Sequence, residues 1–424
     1  MKFVACHGAL SMPVLVSTTA WDTAARLGEL VQAKRVSPRM RGPWYKVHRL
    51  VVSGGRLRLQ STDARIFLAW TLSAEMDRPE QEFDVLVQAQ HVGAVAGCEE
   101  ADGCLEIEHD HAWNLLAVRQ VRRPFMLLRI EADPTVNYPE PLDELSNRAQ
   151  DTDERRPDRP RTARWSIDAR ALSKSLEFVS TLVERRRIGA ETSFVTHLPD
   201  GRVVGGTPRA FAMVEGLPEP PTAMIYRRPS VDVLAAFLAR LGDEAKVEIS
   251  ERSYRFTCPS MGHELHLPRE CDVPPPWPQM DDEEHEEILI EGPQFKQAVL
   301  LAGVFLTEPA VRLNVLIRGD GGNSSLLIST PLLNYAGRSG LETLRTVPPS
   351  IRASGEEGEA PDTRFSLVAD HLNAALRKMT GAVLRLRYDR RQALLRIDDE
   401  AEEFGKTRRS AILSIHEEFG PVWE

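Results

Sequence analysis

The feature that most constrains this chain is a phrase that occurs three times. At residues 363–398 the sequence TRFSLVADHLNAALRKMTGAVLRLRYDRRQALLRID reads as strand, helix, strand, strand. Phe365, Leu367 and Val368 close an extended run. Leu372, Leu376 and Met379 then recur at helical spacing, with Asp370 in the first turn and Arg377 and Lys378 in the last. Gly381 is expected to stop that helix. Residues 223–267 repeat the order around a helix expected at Ser230–Leu241, and residues 83–118 repeat it around a weaker one at 88–96. The three helices fall about 140 residues apart, a period that means copies of a domain and not a solenoid.

Each copy also has a first half. Helices expected at Thr19–Val36, Asp168–Arg187 and Gly292–Leu306 each precede a strand, a Gly- or Asp-rich turn and two further strands. In the first copy Ser53-Gly54-Gly55 joins two alternating strands, a tight-turn signal. Thr18 or Thr19 is the expected cap of the first helix, with Trp21, Ala25, Leu27, Leu30 and Val31 on its apolar side. Leu172, Leu176, Phe178, Val179, Leu182 and Val183 make the matching side of the second.

Two segments read as linkers, the first because it cannot bury enough apolar surface to offset its ordering entropy, the second because its prolines stiffen it and its acids keep it solvated. One is the charged, proline-bearing stretch 141–163, the other the Pro- and acid-rich stretch 272–287. They divide the chain into domains at 1–140, 164–271 and 288–424, the last with a polar insertion at 347–363 and an extended tail. The fold class expected is α+β, three tandem domains of two helices plus antiparallel sheets.

The chemistry of catalysis is missing. No GxxxxGK[ST], GxGxxG or HExxH pattern occurs, and no nucleophile elbow surrounds Ser61 or Ser329. The acidic run around His285 has no fixed geometry for a metal, and His109 and His111 are a weak ligand pair. Cys98 and Cys104 straddle a turn without a histidine to complete a zinc pattern, and five cysteines in all suit a reducing compartment. The expectation is a non-enzyme with no cofactor and no metal. No apolar run is long enough to span a bilayer as a helix, so no membrane partner is expected.

Formal net charge is −9, which leaves room for a basic stripe because position matters more than the sum. Lys34 and Arg35 are either a solvated helix end or a phosphate-facing surface. The same two readings apply to Arg185, Arg186 and Arg187, since a helix C-terminus favours arginine with or without DNA.

With three domains parsed, the chain resembles the bacterial DNA sliding clamp, the beta subunit of DNA polymerase III. The resemblance rests on RLVVSGGRLRLQSTDARIFLAWTL at 49–72, FDVLVQAQHVGAVAG at 83–97, WSIDARALSKSLEFVS at 165–180 and RFSLVADHLNAALRKMTGAVLRLRY at 364–388. It implies half of a closed ring, made by two chains head to tail around duplex DNA, with helices lining the hole. Under it Lys34, Arg35, Arg170, Lys174, Arg185, Arg186, Arg187, Arg240, Lys296, Arg377 and Lys378 face DNA, without reading sequence. It further implies partners: short peptide motifs of polymerase or repair proteins, an ATP-dependent clamp loader, and a cytoplasmic, nucleoid-associated location.

The family's peptide pocket departs from pattern here. Its Thr-Asp-Gly-His-Arg-Leu stretch reads Gly206-Thr207-Pro208-Arg209-Ala210-Phe211, and the chain runs on to Phe419-Gly420-Pro421-Val422-Trp423-Glu424. Thr207, Pro208, Arg209, Phe211, Pro421, Val422 and Trp423 are the expected pocket, with Trp423 alternatively packed on its own sheet. Two other readings stand beside a processivity clamp. One is a clamp-fold scaffold that does not encircle DNA, the other a nuclease with carboxylates drawn from distant loops.

Overall fold

The computed structural model describes residues 13–32, 46–76, 82–96, 103–110, 115–121, 123–131, 138–139, 163–183, 194–207, 209–242, 244–250, 252–269, 286–304, 312–318, 325–329, 351–352, 363–389, 392–399 and 407–416. Six α-helices lie among them: α1 Thr18–Val31, α2 Ala89–Ala96, α3 Ala169–Val179, α4 Arg228–Leu238, α5 Gly292–Val304 and α6 Ala369–Leu376. The chain divides into two compact units, residues 1–170 with 232–269 and residues 171–231 with 270–424. The architecture is α+β, built from repeated helix-and-strand units.

The first unit holds two antiparallel sheets. One runs Ala74–Met76, Val14–Ser17, Cys104–Asp110, Leu115–Gln120, Arg123–Glu131. The other has eight strands, in the order Ala163–Asp168, Glu244–Ile249, Ser253–Cys258, His263–Pro268, Phe67–Leu72, Arg56–Thr62, Val47–Ser53, Phe83–Gln88. Its middle joint pairs Leu265 with Leu68 and His266 with Phe67, residues far apart in the chain. The Arg56 hairpin closes on Gly54 (φ 56°) and Gly55 (φ 72°), left-handed positions that a two-residue turn of this kind demands. Alternation then points Leu50, Val52, Leu57 and Leu59 into the core, where all are buried. Helix α1 lies on this sheet and against α2, its Trp21 indole donating to the Val92 carbonyl at 3.2 Å.

The second unit is organised around strand Arg408–His416. It pairs with Ala210–Glu215 on one side and Leu394–Asp399 on the other, and its far end meets Thr363–Val368. Val383–Asp389 and Glu286–Glu291 extend the sheet one way, and Val203–Thr207, Phe194–His197 and Met224–Arg227 the other. Helices α5 and α6 pack on each other, and α6 also meets the 3-10 turn Ser180–Leu182 that follows α3. Asp398, fully buried, ties neighbouring strands together by accepting from Arg396 Nε (2.8 Å), Arg408 Nη2 (2.9 Å) and Ser410 Oγ (2.6 Å). A buried carboxylate with three donors is satisfied and not a penalty.

Several local expectations are corrected. Ser17, not Thr18 or Thr19, caps α1: its Oγ accepts from the Ala20 amide at 3.1 Å, while Thr18 is buried and donates to Gly103 O. Leu30 is 40% exposed and lies off the apolar side of α1. Helix α4 begins at Arg228, two residues early, because Pro229 suits a first turn whose amides have no partner anyway. Strand Phe67–Leu72 starts after a turn in which Asp63 Oδ1 accepts from the Arg65 and Ile66 amides (2.9 and 2.7 Å). Gly381 does not stop α6, which ends at Leu376 with Arg377 as its cap. Of the expected apolar side of the helix at 168–187, all six positions are buried, but α3 ends at Val179, and Leu182 and Val183 lie on and after the 3-10 turn that follows.

Candidate nucleic-acid interface

The cations expected on helices fall into two groups. In the first unit, Arg26 on α1 pairs with Asp22 one turn earlier at 2.8 Å. Arg240, just beyond α4, donates to the Ala236 carbonyl at 2.8 Å, fitting a cation at a helix C-terminus. Partial burial, and then the charge of Arg26, lower the Arg240 guanidinium from its usual range, so the two cations feel each other. Arg26 was absent from the expected set, and Asp22 at i−4 makes it an ordinary helix-surface pair. Arg170 is exposed on α3.

The denser group lies in the second unit, where α6 ends. Arg377 and Lys378 are both exposed there. Lys378 Nζ reaches Glu177 Oε2 on α3 at 3.1 Å, one turn from Lys174. Lys296 on α5 donates to the Met379 carbonyl. Arg409, on strand Arg408–His416, donates from Nη1 to the Lys378 carbonyl at 2.7 Å and lies over the Phe178 ring. Asp399 Oδ2 and Oδ1 accept from the amides of Thr380 (2.7 Å) and Gly381 (2.8 Å). The structure thus brings Lys296, Arg377 and Lys378 to one loop, with Glu177 paired to Lys378. Lys34, Arg35, Arg185, Arg186 and Arg187 lie outside the described residues.

Of the expected pocket, Thr207 closes a hairpin turn, its Oγ1 accepting from the Ala210 amide at 3.1 Å. Arg209 is exposed, and its carbonyl accepts from the Ser414 amide at 2.7 Å. Phe211 is buried with Val204, Met213, Leu394 and Ile412, so it faces a packed cluster. Pro208, Pro421, Val422 and Trp423 lie outside the described residues, as do Cys98 and His111. Among the described residues no group of three or more His, Cys, Asp or Glu is placed to hold a metal. No described helix is long and apolar enough to cross a membrane.

Several histidines are buried away from these cations. His48 is fully buried, its Nδ1 2.5 Å from Ser61 Oγ and 3.2 Å from Gln32 Nε2, and burial lowers its pKa to about 3. Burial likewise lowers His197 to about 4. His263 accepts at Nδ1 from the Thr71 amide (3.1 Å) and is lowered by burial to about 4. Burial pushes the Glu264 carboxyl up, yet His266 and Arg255 hold it down at about 2. His48 and Ser61 are both fully buried, so their contact is closed to solvent.

The sequence matches no protein-family model and no curated protein. Solved structures do match, over nearly the whole chain. The DNA polymerase III subunit beta of Pseudomonas aeruginosa is 14% identical with a TM-score of 0.69, covering 95% of this chain and 99% of that one. The Thermotoga maritima beta subunit is 12% identical with a TM-score of 0.71, covering 96% and 100%. That of Borrelia burgdorferi is 12% identical with a TM-score of 0.72, covering 96% and 99%. At these identities the likeness establishes the fold, that of a DNA polymerase III beta subunit.

Proposed function

We propose that this chain, which has the fold of the bacterial DNA polymerase III beta subunits, is a sliding clamp that encircles duplex DNA without reading its sequence. It tethers a polymerase or another DNA-processing partner and catalyses nothing itself. The observation that carries the reading is the match to beta subunits along 95–96% of the chain and 99–100% of theirs. Three clamp domains, at 1–140, 164–271 and 288–424, supply half a ring, and a second copy joined head to tail supplies the rest. A head-to-tail contact must close or it grows into a filament. The further partners are an ATP-dependent loader and short peptides docking near Thr207, Pro208, Arg209, Phe211, Pro421, Val422 and Trp423, in the cytoplasm on the nucleoid.

Self-association is tested by mass. Light scattering should give about twice the 47.5 kDa of one chain. Leu300 on α5, 63% exposed, is the barest of the large apolar side chains described, and Leu301 beside it is 37% exposed. A stable joint needs apolar cover of this kind. Leu300→Glu should therefore shift the mass toward one chain at micromolar concentration. A wild-type protein that is strictly monomeric would favour the clamp-fold scaffold that encircles nothing.

DNA contact is tested by charge reversal. Changing Arg185, Arg186 and Arg187 together to Glu should weaken retention on duplex DNA equally for unrelated sequences, because phosphate contacts carry no sequence information. Each lost phosphate contact should reduce the slope of log affinity against log salt by about 0.9. Retention equal to wild type would remove these three residues from the DNA-facing wall.

A further inference from the structure

Five backbone polar atoms that follow α6 are held by four residues of the second unit. The Lys378 carbonyl accepts from Arg409, the Met379 carbonyl from Lys296, and the amides of Thr380 and Gly381 both donate to Asp399. The Ala382 carbonyl accepts from the Gly292 amide at 2.8 Å. Gly381 makes this approach feasible, since a Cβ there would sit 2.3 Å from Asp399 Oδ1. Asp399 and Arg409 are themselves buried on adjacent strands, opposite one another in register. So much fixed backbone is unusual for a loop whose outward side chains, Arg377, Lys378 and Thr380, are exposed. Rigid backbone beneath exposed cations lowers the ordering cost of meeting an anion.

One acid stands in the way. Glu177 holds Lys378 at 3.1 Å, with both side chains nearly half exposed (47% and 45%). Such a pair is weak, and a phosphate can displace it. We propose that residues 377–381 are a preorganised phosphate-contact loop, in which Glu177 competes with DNA phosphate for Lys378 while Asp399 and Arg409 hold the loop in shape. This rests on the DNA-clamp reading. Asp399 and Arg409 are positioning residues, and Glu177 sets how readily the loop releases its lysine.

Two substitutions that each remove one negative charge should act in opposite directions. Glu177→Gln frees Lys378, so affinity for a labelled duplex of arbitrary sequence should rise by about two- to fivefold and the salt slope steepen. Asp399→Asn cannot accept from both amides, so affinity should fall by about three- to tenfold and the slope become shallower, although a negative charge is gone. Arg409→Lys keeps the charge but loses the fork that reaches the Lys378 carbonyl. It should fall in the same direction, and it decides the matter if Asp399→Asn does not fold. Tightening by Asp399→Asn, or no change in Arg409→Lys, would leave bulk electrostatics as the whole account and overturn the loop's role. A wild-type protein that binds no duplex at low salt would instead overturn the clamp reading, and with it this assignment.

Discussion

Replacing Trp70 by alanine should cost the first unit about 3–5 kcal/mol, the usual range for removing a buried indole. Trp70 is 6% exposed and sits on strand Phe67–Leu72, at the joint with His263–Pro268. Its ring stacks on His263 at 3.6 Å with planes 7° apart, and meets Phe237 edge-on at 5.8 Å. Truncation loses both ring contacts and leaves a cavity that strand backbones on either side cannot collapse to fill. For a unit of roughly 200 residues the melting transition should fall by about 6–20 °C. Trp70→Phe should recover a good part of that, because an aromatic ring still covers His263. A shift under about 2 °C for the alanine variant, read by calorimetry, would show that the joint is held by its backbone pairing alone.

Acidification from pH 7 to pH 5 should destabilise both units. The folded pKa values of His48 (about 3) and His197 (about 4) lie below the unfolded value near 6.5. Between those limits the unfolded chain binds more protons, so stability declines as pH falls from about 6.5 and levels off only near the folded pKa. At pH 5 each histidine withdraws about 2 kcal/mol, the first from one unit and the second from the other. His263 acts in the same sense, since protonating Nδ1 removes the acceptor of the Thr71 amide. Glu264 adds its loss only below about 4.5, as pH falls toward its folded value of about 2. Denaturant melts at pH 7, 6 and 5 measure the slope. His48→Asn should flatten it for the first unit, and a flat profile in the wild type would mean that these rings are wet.

The helices were legible in the sequence because each carries its own periodic pattern. Phe178 and Val179 on α3, or Leu372 and Leu376 on α6, announce a buried stripe within a dozen residues. The boundaries were less so, since a cap such as Ser17 or a carboxylate such as Asp399 decides them from the side. The joint of Phe67–Leu72 with His263–Pro268 was not legible at all. Two strands of ordinary alternation carry no mark of which partner, nearly two hundred residues away, will take their edge. The candidate interface divided in the same way. Arg377 and Lys378 could be read as helix-end cations, but the inward use of Lys296 and the role of Arg409 depend on tertiary approach. A count of lysines and arginines cannot tell a cation that meets solvent from one that binds a carbonyl.

Strand Arg408–His416, at the centre of the second unit, also sets a timetable. Ala210–Glu215 finds its neighbour on that side only when residues made roughly 200 positions later arrive. At about 5–20 residues per second, a ribosome takes about 10–40 s to deliver them. Throughout that interval an apolar strand, Ala210 to Val214, has an open edge of unsatisfied amides and carbonyls. The nascent chain therefore carries this uncovered edge until its C-terminal strand is made, and the pairing forms late. For such a chain, yield on expression is governed by what shields that edge during translation, before the stability of the finished protein has any say.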